Sequence, residues 1–505
     1  MSELDTAARP GQTHPLGVSR PPLDVVDLPT PEEVFGVSRL GVKEIVKFAI
    51  GPSLIALGIS IGSGEWLLGP LNIGQFGFKG LGWVILVSAI LQTFYNVESS
   101  RYVVATGEVP ALGFGRAPPG FLFWVPFSVA VVFFAFIWGG WAASAGQGLF
   151  SLITGRLATA ADLTEVRLLA IGLLGLVFVI AALSRKVTRG LEPVNWLIVG
   201  AILLFLFLVD IFVVPGSKWW EGFKNFFVFS RPPEGITATN IGALAGFTAL
   251  ASGLNWYVMT HYRDKGYGMG HRVGFISGLR GAKKEILPVG VTFPDDDKNA
   301  QLWKRWYRLL LLDMWGVFFV GAMLGMLLPT ILMSHAVDLT GQTPTDENIP
   351  TFIAGALKQE FGSFLFYVAL LIGTLILFST QLGIFEAMIR NFTDGAYGVS
   401  SRFRRLVAGD PRRFYYPFML VVLAVVGVLL FQDLPVGLIR ISANMSNFGA
   451  LMFPFVLMYL NSKLPRAARP SWYHYVILVF NVVFFGFFFI NFAWEQITGD
   501  ALFIF

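Results

Sequence analysis

Apolar stretches of about 20 residues recur along the chain, parted by polar or charged connections, and that is the length an α-helix needs to cross a bilayer. Eleven such spans can be read, at about 51–70, 80–105, 121–149, 167–183, 194–214, 243–264, 309–333, 364–388, 416–431, 434–460 and 473–494. Two of them carry an interruption. In the first, GPSLIALGISIGSGEWLLGP from Gly51 to Pro70, the half up to Ile61 is apolar, and Gly62, Ser63, Gly64 and Glu65 then bring flexible backbone and a carboxylate to mid-membrane depth. In the sixth, ALAGFTALASGLNWYVMTHYRD from Ala243 to Asp264, the interruption is Ser252, Gly253, Leu254 and Asn255, followed by Trp256. Non-helical backbone at that depth is tolerated only where it is buried in protein or lines a wet cavity, and matched interruptions in two halves of a membrane protein point to a transporter site. The competing reading is glycine-mediated packing, since small residues also let membrane helices approach closely.

Polar residues inside the other spans add candidates. Span 2 turns polar over Gln92, Asn96, Glu98, Ser99 and Arg101, where Glu98 and Arg101 at i and i+3 read as an ion pair. Gln147 follows a run of small residues that reads as close packing, and Asp210 near the end of span 5 reads as an interfacial, solvated carboxylate. Span 8 holds Thr374, Ser379, Thr380, Gln381 and Glu386; span 10 holds Ser442, Asn444, Ser446 and Asn447, a wet or helix-facing side. Residues 1–45 are polar and rich in proline and are expected to form a mobile tail. The basic loop 263–308 and its run Asp295, Asp296, Asp297 read as solvated, without the ligand spacing of a calcium loop.

Charge in the connections sets topology. Arg116, Arg185, Lys186, Arg189, the loop 263–308, the arginines of 402–413 and Lys463, Arg466 and Arg469 fall on one side, with acids such as Asp338, Asp346, Glu347 and Asp433 on the other. By the positive-inside rule the amino terminus is cytoplasmic in a multi-pass cell-membrane protein. Spans 1–5 and 6–10 then have opposite orientation, giving two inverted five-helix repeats at 46–214 and 215–460, with 461–505 holding an eleventh helix. The composition agrees: of 505 residues 55% are hydrophobic and 14% charged, so the net charge of +5 speaks of loops facing a bilayer, not of nucleic acid. The absence of cysteine excludes thiol catalysis and thiolate metal sites, no HExxH or paired-acid motif lies in the membrane, and no cofactor or enzymatic activity is expected.

With these residues in view the chain resembles the Nramp (natural resistance-associated macrophage protein) family of divalent-metal transporters, of the amino acid-polyamine-cation superfamily, over about 48–460. The resemblance rests on Gly51-Pro52 before an interrupted span, on Gln92 with Arg101, Val104, Thr106 and Gly107, and on Asn255-Trp256-Tyr257 after the second interruption. It implies an all-α integral membrane protein with the leucine-transporter-type fold, about eleven transmembrane helices, and helices 1 and 6 broken at mid-membrane. The family's first site motif, Asp-Pro-Gly-Asn, is Gly62, Ser63, Gly64 and Glu65 here; its second, Met-Pro-His-Asn, is Ser252, Gly253, Leu254 and Asn255; and its later histidine falls at Met259, two residues before His261. Loss of the thioether removes the preference for softer metals and leaves an oxygen site suited to magnesium or manganese. The expected site is therefore Gly62, Ser63, Gly64, Glu65, Ser252, Gly253, Asn255, Asn444 and Asn447, with Glu65 and Asn255 as metal ligands and Glu65, His261, Glu98 and Arg101 as proton-relay candidates. The expected function is alternating-access transport of a hard divalent cation, by symport if protons are coupled. The alternatives are a symporter of a small organic solute with Glu65 as its proton or cation site, in a cavity beside Trp66, Trp256 and Tyr257, and a receptor or scaffold without transport.

Overall fold

The computed structural model describes residues 23–183, 187–250, 253–274 and 289–505, which form a helical bundle with a two-stranded parallel ribbon at one end. In chain order its main helices are α1 (Pro52–Phe76), α2 (Gly82–Thr106), α3 (Phe121–Thr154), α4 (Leu163–Leu183), α5 (Val187–Val213), α6 (Gly216–Phe227), α7 (Ala238–Phe247), α8 (Asn255–Lys265), α9 (Asp297–Thr340), α10 (Ile349–Phe361), α11 (Ser363–Val399), α12 (Arg412–Leu429), α13 (Pro435–Ser462) and α14 (Trp472–Thr498). Among the described residues eight helices are long and apolar enough to cross a membrane. Three further segments complete the eleven expected spans. These are α2, polar over its second half; α5, apolar over Val199–Val213; and α7 with α8, each too short singly.

Burial runs as a bilayer demands. Large apolar side chains such as Leu168, Leu204, Phe212, Val483 and Ile490 point outward, while Glu65, Asn96, Asn255, Thr380, Glu386 and Asn447 lie inside the bundle. α1 packs against α7, α9 and α11, so the one carboxylate of the first interrupted span is enclosed on all sides by protein.

The part of the amino-terminal segment that is described departs from the expected mobile tail. β1 (Asp24–Val25) pairs in parallel with β2 (Val291–Thr292), and the chain then crosses the start of α9. Asn299 accepts from the Leu28 amide at 2.8 Å and donates to Asp27, Trp306 donates its indole N–H to the Pro29 carbonyl at 2.9 Å, and Phe35 sits edge-on against Tyr267 and Trp306. A polar, proline-rich stretch builds no core of its own, but it can add Leu28 and Phe35 to one already present. Of the basic loop, Arg280, Lys283 and Lys284 lie outside the described residues. Its acidic run serves the fold: Asp296 caps α9 by accepting from the Asn299 amide, and Asp295 accepts from the Arg466 amide.

Candidate functional site

The first interruption is a change of winding. The α-helical ladder of α1 stops at Ser60 and resumes at Gly69, and Ile61–Leu68 between them form a π-helical turn instead of unwound backbone. Such turns insert into α-helices mostly at functional positions. Gly62 and Gly64 are needed here for contact, not for backbone freedom, since neither has a positive φ. A Cβ on Gly62 would stand 2.1 Å from the Thr380 hydroxyl oxygen, and one on Gly64 would stand 2.0 Å from the Phe247 carbonyl oxygen. The packing role of small residues thus holds at this turn. Ser63 is fixed to α3 by the indole N–H of Trp141, which donates to its hydroxyl at 3.0 Å.

The wider turn matters for what it stacks. In an α-helix residues five apart lie about 140° apart around the axis. The π-turn brings Ser60 and Glu65 together, and the Ser60 hydroxyl meets both the Glu65 Oε1 and the carbonyl oxygen of Ala249. Ala249 lies in the gap between α7 and α8 with φ 65°, a left-handed backbone that a non-glycine residue seldom adopts and that often marks a functional site. Glu65 is fully buried, and its Oε2 has no hydrogen-bond partner. Gly325 of α9 leaves room beside it, a Cβ there lying 3.6 Å from the Glu65 Cγ.

At the second interruption α7 ends at Phe247 and α8 starts at Asn255. Between them, Ser252 lies outside the described residues, and Gly253 takes a φ of 106°. The carbonyls left open at the end of α7 are taken up by side chains, as a buried helix end requires. Gln92 of α2 donates to the Gly246 carbonyl at 3.4 Å and Thr248 to that of Leu244 at 2.7 Å. One turn earlier, Asn447 donates to the Gly242 carbonyl at 2.9 Å. Asn444 donates to the Thr239 carbonyl at 3.2 Å. Asn444 and Asn447 therefore hold α7 in place and have no hydrogen bond to Glu65, because they reach the helix through the notches at Gly242 and Gly246. Asn255 opens α8. Its amide donates to Asn96 of α2 and, at 3.2 Å, to the Leu250 carbonyl, which leaves its Oδ1 and the Asn96 Nδ2 without partners.

The other candidates form a second polar layer. Tyr257 donates to Glu386, Glu386 lies 3.5 Å from Arg390, Arg390 pairs with Asp264, and Arg263 pairs with Asp394 at 3.0 Å, all buried between α8 and α11. His261 is buried with its ring 4.3 Å from that of Tyr257, and its Nε2 has no partner. Glu98 and Arg101 pair at 2.9 Å as their spacing suggests. His474 and Asn461 also bind Glu98, and Tyr307 accepts from Arg101, so the pair ties α2 to α9, α13 and α14. Asp210 is not the solvated acid expected: it is fully buried, and neither carboxylate oxygen has a partner, because the following α6 folds back over the helix end. The rings expected to line a solute cavity are packed instead. Trp256 lies between Phe114 and Phe453, and Trp66 fills the notch at Gly373. Among the described residues no group of three or more His, Asp or Glu side chains could hold a metal ion. Sequence reasoning left Ser60, Ala249 and the Asn96–Asn255 contact out of the site, although Asn96 stood among the polar residues of span 2.

No family model and no curated protein matches the chain. Solved structures do. The manganese transporter of Eremococcus coleocola, bound to an aromatic bis-isothiourea substituted compound, superposes with a TM-score of 0.57 at 16% identity, over 91% of this chain and 89% of that one. Two single-residue mutants of the same transporter give 0.57 at 15% identity, over 94% and 90%. The chain has the fold of these transporters. That is the all-α, membrane-spanning architecture of leucine-transporter type that the resemblance implies, and at this identity the likeness speaks for the fold alone.

Proposed function

We propose that the chain is a secondary transporter carrying a hard divalent cation, magnesium or manganese, by alternating access, with the cation held where the π-turn of α1 meets the gap between α7 and α8. The observation that carries the reading is the buried Glu65 carboxylate, one oxygen open, set beside the left-handed Ala249 carbonyl. Glu65 and that carbonyl are the ligands, Asn255 offers its open Oδ1 from the start of α8, and a single acid leaves the ion part of its water shell, as magnesium sites commonly do. The manganese transporters of the same fold support a metal as cargo. The packing of Trp66 and Trp256 speaks against an organic solute, which needs a roomy apolar cavity. The basic connections put the amino terminus in the cytoplasm, and 46–214 and 215–460 act as inverted repeats that rock about the site. Uptake of Mn²⁺ and Mg²⁺ into proteoliposomes tests this. Glu65→Gln is expected to abolish concentrative uptake while the protein stays folded, and normal uptake by that variant removes Glu65 from the role.

A further inference from the structure

We infer that Ser60 is a direct ligand of the transported cation and sets the site's preference for hard ions, an inference that rests on the reading of Glu65 and Ala249 as the cation site. Hydroxyls buried in membrane helices ordinarily turn back on their own helix. Thr106, Thr260, Thr330, Thr393 and Ser446 all do so here, each donating to the carbonyl four residues earlier at 2.7–2.9 Å. Ser60 does not. Ser88 and Ser442 also cross to a carbonyl of another segment, but each meets that one acceptor, whereas the Ser60 hydroxyl reaches forward to the Glu65 carboxylate and across to the carbonyl of Ala249, 189 residues away in sequence. The residue is 2% exposed, so water does not account for the orientation.

A hydroxyl carries one hydrogen and two lone pairs. Between two acceptor oxygens it donates to one at a time, whereas a small cation set among the three oxygens accepts lone pairs from all of them. The Ser60 Oγ then turns its hydrogen outward and binds the ion with the Glu65 carboxylate and the Ala249 carbonyl, giving a compact set of oxygens with one negative charge. Such a set selects magnesium and manganese over softer metals. The π-turn is the device that makes it possible, since an α-helical course would carry Ser60 away from Glu65.

The chain's lack of cysteine makes a thiol at this position diagnostic, because it would be the only one. Binding of Mn²⁺, Mg²⁺ and Cd²⁺ to the full chain in lipid nanodiscs is measured by calorimetry for the wild type, Ser60→Ala, Ser60→Cys, Ser60→Thr and Glu65→Gln, with thermal unfolding to confirm folding. Ser60→Ala is expected to weaken Mn²⁺ binding about tenfold, Ser60→Thr to retain it, and Ser60→Cys to tighten Cd²⁺ about tenfold over wild type. A Cys variant that binds Cd²⁺ no better than the Ala variant, or an Ala variant with wild-type Mn²⁺ affinity, overturns the inference. Should Ser60→Ala not fold, the Cys and Thr variants carry the test. Mn²⁺ binding that Glu65→Gln loses and Ser60→Ala keeps removes Ser60 alone; absence of Mn²⁺ and Mg²⁺ binding to the wild type removes the cation reading itself.

Discussion

Gly64 cannot accept even a methyl group without moving a neighbouring helix. The atom in its way is a backbone oxygen, that of Phe247, whereas at Gly62 the obstruction is chiefly the Thr380 side chain. Gly62→Ala should therefore lower stability by about 1–3 kcal/mol, the usual cost of overpacking, and Thr380→Ala should recover part of it. Gly64→Ala should cost more and find no such rescue. Thermal unfolding in detergent separates the two, and a hinge role for the glycines predicts neither the order nor the rescue. The sequence marked these positions correctly as exceptional, and for a reason only half right: small residues in a membrane span signal either backbone freedom or contact, and the pattern alone does not distinguish them. That Glu65 and Asn255 turn into the bundle was legible, because an acid and an amide in apolar spans are costly facing lipid. The meeting of Ser60 with Glu65 was not, because reading at 3.6 residues per turn places the two on different faces.

At the scale of elements, the spans were legible from apolar length, and the docking of the amino-terminal segment was not. Its composition predicts a mobile tail; its place comes from partners more than 200 residues away, the Trp306 indole, Asn299 and the edge of β2, which no local pattern announces. The Lys298 hydrogen bond holds the Asp27 carboxyl below its ordinary value of 3.8; at Glu32 burial is the largest single influence and raises the carboxyl, but the Arg305 hydrogen bond, a backbone hydrogen bond and the Arg305 charge together hold it below its ordinary value. A carboxyl lowered in the folded state adds stability that is present above its unfolded pKa and lost only as pH falls through the lowered one. Acidifying from about pH 7 to about pH 5 should thus leave the strap docked, while salt near 1 M should loosen it, since Asp27 and Lys298 are half exposed or more. Trp306→Phe keeps the aromatic contact with Phe35 and removes the donor to Pro29. Faster amide exchange over 23–36, with unchanged protection in α9, is the expected signature, and unchanged exchange over 23–36 would show that the indole bond does not hold the strap.

For the molecule as a whole, the proposed function raises the question of how a cation reaches Glu65, which is fully buried. At the end where α1 begins, Asp313 of α9 accepts from the Ser53 hydroxyl at 2.6 Å and from Tyr262 at 2.5 Å, and the Arg390 layer joins α8 to α11. At the other end the loop before α10 is fastened to three helices: Gln75 of α1 donates to the Pro344 carbonyl at 2.9 Å, Gln147 of α3 to that of Glu347 at 2.6 Å, and Arg440 of α13 pairs with Asp346 at 2.8 Å. Removing a charge from the buried layer leaves its partners uncompensated, which costs several kcal/mol, while the partly exposed Arg440–Asp346 pair contributes about 1 kcal/mol or less. The loop is therefore the weaker closure and the one expected to open first. A Cβ on Gly74 would lie 2.5 Å from the Pro344 Cγ, which with one further C–C bond puts the two β-carbons within about 4 Å, the separation a disulfide needs once both residues are replaced. In a chain with no native thiol, Gly74→Cys with Pro344→Cys should lose Mn²⁺ uptake on oxidation and regain it on reduction, with each single variant indifferent to oxidant. Full uptake with the bond formed would mean that this loop need not lift, and that the cation reaches Glu65 by another opening.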